Sequence, residues 1–172
     1  SSVSIGQGAD ATADQALAFG LNSQATAVKS LAFFGDAGST YSTAIGYNSS
    51  NQQAKTRTGA GAMALGGSYA SGVDSFAAAI ANNTSSYGAT GANSVVIGRL
   101  SKASGADSFA IGDNNIAGNG DAFALGNTNN VTGGGTAFAI GANHTVSGTL
   151  AACIGGSTST ATQTYAMTFG PY

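Results

Sequence analysis

The 172-residue chain offers few groups that could do chemistry: one histidine (His144), one cysteine (Cys153), seven aspartates, no glutamate and five basic residues. A serine or cysteine nucleophile needs an adjacent base. With a single histidine no such pair can be assembled, so no catalytic residue is assigned and an enzyme is not expected. The acids (Asp10, Asp14, Asp36, Asp74, Asp107, Asp113, Asp121) fall mostly where turns are expected, and Asp supports turns through local hydrogen bonds. Calcium-binding rolls repeat G-G-x-G-x-D in a nonapeptide phase that is absent here, so "GNGD" at Gly118–Asp121 reads as a turn. Nothing favours a carboxylate pair for glycoside cleavage. The glycine-rich stretches Thr132–Thr136 and Thr58–Ala62 lack the lysine and the following helix of a phosphate loop. No metal and no cofactor are called for.

The basic residues Lys29, Lys55, Arg57, Arg99 and Lys102 are scattered, and the net charge is −2. Nucleic-acid binding needs clustered cations to neutralise phosphates and is not expected. The longest apolar runs are about five residues, against the ~20 that span a bilayer as a helix, so this segment is expected to make no membrane contact. A lone cysteine excludes a disulfide within the chain. The chain opens inside a repeat, as "SSVSIG", and is expected to be a mature piece or an excised segment of a longer protein.

The composition is unusual. Only 7% of residues are charged, where an ordinary domain has about 25%. Glycine occurs 27 times, proline only at Pro171, and tryptophan not at all. Disorder requires low hydrophobicity and high net charge; here 42% of residues are hydrophobic, and they fall in regular pairs. The length fits one domain, residues 1–172, with irregular coils around 32–93.

Short blocks ending in a large apolar residue and glycine recur along the chain. They end at Gly6, Gly20, Gly35, Gly46, Gly66, Gly98, Gly112, Gly126, Gly141, Gly155 and Gly170, with a degenerate copy near Ala81. From Gly98 onward the spacings are 14, 14, 15, 14 and 15. Three residues after the glycine come Ala9, Ser23, Ser49, Ser101, Asn115, Asn129, His144 and Thr158; five after come Ala11, Ala25, Ala103, Ala117, Val131, Val146 and Thr160. Each period therefore holds two short extended segments separated by Gly/Asn/Ser turns, with no helical spacing. The fold expected is an all-β parallel solenoid of about twelve ~14-residue coils, each pairing with the next. At ~4.8 Å per coil it would make a rod on the order of 55 Å long.

Side chains alternate between the two faces of a strand. One and three residues before the glycine stand large groups (Ile111 and Phe109, Leu125 and Phe123, Ile140 and Phe138). Two and four before stand small ones (Ala110 and Ser108, Ala124 and Ala122, Ala139 and Ala137). Such a strand is expected to be buried on both faces, one row filling the lumen and the other lying against sister chains; the alternation does not say which. The second strand carries a wet row (Asp10 and Thr12, Gln24 and Thr26, Lys102 and Ser104). An apolar face this long exceeds what a soluble monomer exposes, and a cyclic homo-oligomer, with a trimer favoured, is the expected closure.

His144 stands at the offset of Asn115 and Asn129. It is expected in a stacked polar column, the alternative being a metal or anion held near an axis by symmetry copies. Cys153 takes an alanine position, where a thiol substitutes easily. The irregular coils "GYNSSNQQAKTRTGAGA" (Gly46–Ala62) and "NNTSSYGATGAN" (Asn82–Asn93) carry extra residues that should emerge as loops, the commonest carriers of binding. Tyr47, Lys55, Arg57, Tyr69 and Tyr87 are the candidate ligand-binding residues. Glycosylation sequons at Asn48, Asn82, Asn83, Asn130 and Asn143 are those a chain rich in Asn, Ser and Thr contains by chance.

The blocks "NSVVIGRLSKASG", "DSFAIGDNNIAG", "DAFALGNTNNVTG" and "TAFAIGANHTVSG" resemble the 14-residue head repeats of YadA-like trimeric autotransporter adhesins. The resemblance covers nearly the whole chain and is weakest from Ala32 to Asn93. It implies a left-handed parallel β-roll in a homotrimer at a bacterial cell surface, binding host matrix proteins or cell-surface receptors as a virulence-associated adhesin. No neck motif, heptad stalk or membrane anchor occurs within these 172 residues. The phenylalanine-rich form of the repeat is also similar to segments of phage tail fibres and surface filaments, which is the alternative reading.

Overall fold

The computed structural model describes residues 1–78, 84–156 and 158–170. Among the described residues the chain winds into a solenoid of two parallel sheets, one of twelve strands and one of eleven. The first sheet is built from the glycine-ended blocks, from Val3–Ile5 to Met167–Phe169; the second from two-residue strands, from Asp10–Ala11 to Thr160–Ala161. Each strand pairs with its counterpart one coil on, so residues at the same place in the repeat stack in columns.

The register settles which row is inside. Ala18, Ala32, Ala44, Ala64, Ala77, Val96, Ala110, Ala124, Ala139 and Cys153 form one inward column of the first sheet, all fully buried. Facing it from the second sheet stand Ala25, Ala37, Thr56, Ala70, Ala89, Ala103, Ala117, Val131 and Val146, equally buried. The lumen is thus a methyl-lined slot between two thin sheets. Cys153 fits there because a thiol is little larger than a methyl group; its Sγ lies 3.6 Å from Thr168 Oγ1. A third inward column at the corner carries Ser30, Ser42, Ser75, Ser94 and Ser108, each donating to the carbonyl three residues earlier, at 2.6–2.8 Å. These bonds close the turn that leads into the strand.

The large row therefore faces outward. In the single chain it is not covered: Phe109 is 39% exposed, Ile97 40% and Phe33 41%. The small row is thus the one that fills the lumen, and the large row is the one left for contact with sister chains. Along this row Phe19 and Phe33 stack with centroids 4.8 Å apart, and Phe109 and Phe123 approach to 6.2 Å. Together the row leaves on the order of 1,000 Å² of apolar surface in water, above the ~300–600 Å² patch of a typical monomer.

The corners depend on backbone that few residues adopt. Gly98, Gly112, Gly126 and Gly141 have φ of +122°, +117°, +123° and +133°, and a Cβ on any of them would overlap the carbonyl oxygen of the next glycine in the column. Both the dihedral and the stacking exclude a side chain. Before the second strand a left-handed residue recurs at Asn22, Asn114 and Asn143; before the first it recurs at Asp74, Asn93, Asp107 and Asp121, all with φ of +52° to +58°. Asn and Asp tolerate that region best among non-glycine residues.

Four assignments from spacing shift on inspection. Gly35 does not end a strand. Phe34, with φ +53°, holds that place, donating its N–H to Phe19 O as Gly20 does to Ile5 O. Gly35 is buried one residue on, where a Cβ would overlap Ala44 O. Ser49 is exposed in the insertion, and Ala54 takes the inward position instead. In the last coil the inward pair is Ser159 and Ala161 rather than Thr158 and Thr160, because the extra residue of that 15-residue period precedes the second strand. The degenerate copy forms its strand at Phe76–Ala78, earlier than supposed; Ala81, like the Asn82 and Asn83 sequons, lies outside the described residues. Among the acids, Asp36 lies on the strand Asp36–Ala37 and is buried.

The glycine column yields a prediction. Gly126→Ala should destabilise the fold by about 3 kcal/mol through strain and overlap. Gly120→Ala should change stability by less than about 0.5 kcal/mol, since an added Cβ there meets only Ala106 O at 3.7 Å. Thermal melts of the two variants followed by circular dichroism would separate them.

Candidate functional site

His144 belongs to the scaffold. Ser101, Asn115, Asn129 and His144 stack on the inner side of the second sheet, fully or almost fully buried. Asn115 N–H donates to Ser101 Oγ at 3.1 Å, Asn129 N–H to Asn115 Oδ1 at 3.0 Å, and His144 N–H to Asn129 Oδ1 at 3.1 Å. The side-chain amides also donate across the corner, Asn115 Nδ2 to Ile111 O and Gly126 O, and Asn129 Nδ2 to Leu125 O and Gly141 O. His144 Nε2 lies 3.0 Å from Gly155 O and so carries the proton, which leaves Nδ1 buried without a partner. The ring is sealed inside its own roll, out of reach of other chains. That removes the symmetric metal or anion site and leaves the polar column.

Five of the six extra residues after Gly46 precede the strand Lys55–Thr56 and form an ordered hairpin. Tyr47 and Gln53 make an antiparallel bridge at its base. Asn48 organises the tip: its Oδ1 accepts from Ser50 N–H at 3.0 Å and Gln52 N–H at 2.9 Å, and its Nδ2 donates to Gln52 Oε1 at 2.8 Å. Such side-chain capping of a turn is what Asn does well. With Nδ2 engaged, Asn48 is a poor glycan acceptor. The hairpin folds back over the earlier coils, where Tyr47 Oη donates to Leu21 O at 3.0 Å and Gln53 Nε2 to Asn22 O at 3.0 Å and Tyr47 Oη at 3.1 Å. Gly67 makes room for it, since a Cβ there would come within 2.7 Å of Asn48 Cβ.

Beside the hairpin the wet face of the second sheet carries an ion pair. Arg57 grips Asp36 with both guanidinium nitrogens, Nη1 to Oδ1 at 2.8 Å and Nη2 to Oδ2. Asp36 is 6% exposed, and the paired guanidinium offsets the cost of burying its carboxylate. The hydrogen bond to Asp36 raises the guanidinium above its ordinary range. Arg57 is thereby committed to the scaffold. Lys55 is paired in register with Asp36 on one side and Tyr69 on the other, yet both oxygens of Asp36 go to Arg57, and Lys55 has no ion-pair partner among the described residues. Tyr69 is half-buried on the strand Tyr69–Ala70; Tyr87, expected to be exposed, is half-buried just before Gly88–Ala89.

Tyr47 and Lys55 meet at a concave pocket of ≈ 420 Å³, lined also by Asn22, Asn51, Gln52 and Gln53. Of the five candidate residues these two share the pocket. Arg57 is tied to Asp36, Tyr69 sits beside Lys55, and Tyr87 lies a coil further along. The amide residues carry neither charge nor an aromatic ring and so do not stand out in the sequence. The signal available was the amide-rich run "NSSNQQ" within an insertion.

The fold is of the parallel β-solenoid class, with a dry outer row on one sheet and a polar, loop-bearing second sheet. Residues 1–23, 11–33 and 89–115 match the YadA head domain repeat, and the chain carries YadA-like head repeats. The matches fall on the regular coils either side of the insertion-bearing region. No curated protein matches the chain.

Two predictions concern these groups. Arg57→Met should cost about 2 kcal/mol, because it leaves a buried carboxylate unpaired; adding Asp36→Asn should restore part of the loss in a double-mutant melt. His144→Asn should melt at or above the parent temperature by continuing the amide column, whereas His144→Leu, which abandons Gly155 O, should lose about 1–3 kcal/mol.

Proposed function

We propose that three copies of this chain pack their first sheets about a common axis as left-handed β-rolls, forming the head of a bacterial surface adhesin. The observation that carries this is the outward row of Phe, Ile, Leu and Met side chains, continuous along one sheet and uncovered in the single chain, while the second sheet presents Asp10, Gln24, Thr26 and Ser104 to water. A closed three-fold arrangement buries the first face and leaves the second free for contact. The YadA-like head repeats support the same reading, since trimeric autotransporter adhesins are built on them.

In this role the protein is non-catalytic. It stands outside the cell, stiff and poor in exposed loops, and attaches to a host matrix protein or cell-surface receptor. Weak contacts repeated on each subunit gain strength through avidity. The attachment surface is the second sheet with the hairpin after Gly46, where Tyr47, Lys55, Tyr69 and Tyr87 lie on adjacent coils.

Light scattering of the purified chain should return three times the monomer mass. Phe109→Asp combined with Ile140→Asp should give a folded monomer, because both side chains are already outside the roll. The parent protein, and not this variant, should hold to immobilised matrix proteins or cells. A parent chain that stays monomeric at micromolar concentration ends the proposal.

A further inference from the structure

We infer that the pocket between the Gly46 hairpin and the second sheet is a saccharide site selective for sugars bearing a carboxylate. It deepens the adhesin reading by naming a ligand class, and rests on that reading for its biological setting only, since every lining residue comes from one chain.

The walls decide the chemistry. Asn22 and Asn51 supply side-chain amides; Gln52 Oε1, Gln53 Nε2 and Tyr47 Oη are already engaged within the hairpin and shape the wall, with the Tyr47 ring at the hairpin base. An amide both donates and accepts, which matches the paired hydroxyls of a sugar. No large aliphatic group lines the pocket, so an apolar peptide anchor has nothing to fill. The volume, ≈ 420 Å³, falls within the ~300–1,000 Å³ of small-molecule sites. It is also preformed: Asn48 holds the hairpin through three hydrogen bonds, and Tyr47 and Gln53 pin it to Leu21 and Asn22. Little ordering is left for a ligand to impose.

Lys55 sets the charge. It is half-buried at the pocket, and the acid beside it on the sheet, Asp36, is held by Arg57 at both oxygens. An ammonium without a counter-ion, among amides that can bind hydroxyls, suits an anionic group on a polyhydroxylated ligand. The side chains of Asn22 and Asn51 make no hydrogen bond within the chain among the described residues, leaving their amides available at the rim. A terminal sialic acid and an internal uronic acid both present this chemistry.

Saturation-transfer NMR on the full chain tests the site, with 3′-sialyllactose and a hyaluronan tetrasaccharide as probes and lactose as neutral control. At least one acidic probe should bind and lactose should not; which acidic probe binds identifies the source. Lys55→Met and Asn51→Ala should each weaken binding about tenfold, while Lys102→Met, on the same sheet away from the pocket, should leave it unchanged. Failure of both acidic probes, equal binding of lactose, or undiminished binding by Lys55→Met overturns the proposal. Adhesion assays on the same variants keep the two readings apart. A parent chain that adheres through a surface indifferent to Lys55 retains the adhesin role and loses the pocket; a monomer that binds the sugar keeps the pocket and loses the trimeric head.

Discussion

Parallel pairing of each coil onto the next places every residue directly under its counterpart one period away, and the structure follows from that stacking. A column tolerates only what can sit on a copy of itself at the ~4.8 Å strand spacing. Inside the roll two sheets approach so closely that the columns hold Ala, Ser, Val, Cys or Thr and little else. At the corner the column is glycine, because the carbonyl of the next coil fills the space where a Cβ would go. Polar inward positions are acceptable when they bond along the column, as Ser101, Asn115, Asn129 and His144 do. Buried polar groups organised in this way stiffen a thin core that hydrophobic burial alone would hold weakly.

Small residues inside force large ones outside. Around each inward residue alternation sets two outward side chains, and with Ala110 or Ala124 turned in, Phe109, Ile111, Phe123 and Leu125 must turn out. Folding of one chain therefore leaves these side chains partly in water. It is on the wet second sheet that the chain tolerates the insertion, the Asp36–Arg57 pair and the polar pocket.

The period, the two strands per coil, the parallel topology and the chemical identity of each row were legible in the sequence because stacking repeats them many times. What misled was any inference from one copy. "LAFFG" looks like its neighbours, yet pairing with Leu17–Phe19 and Thr43–Ile45 puts Phe34 at the corner and drops Gly35 into the lumen. That coil saves two residues between its strands, a deletion that a glycine-anchored count assigns to the wrong place. Ser49 and Thr158 were misplaced for the mirror reason, extra residues entering before the second strand. Fixed offsets from the glycine fail wherever coil length changes, since the ladder re-registers on inward-facing size and not on distance along the chain. At the site, charge and aromaticity pointed to Tyr47 and Lys55, but the capture of Arg57 by Asp36 depends on neighbours 21 residues apart and was invisible to local reading.

The hairpin after Gly46 leaves the ladder intact on both sides: Asp36 pairs with Lys55 and Lys55 with Tyr69 as though nothing had been inserted. Loop length and framework are therefore uncoupled. Evolution is free to lengthen, shorten or rewrite that segment while the rod keeps its pitch, so variety at the surface costs the spindle nothing in its interior.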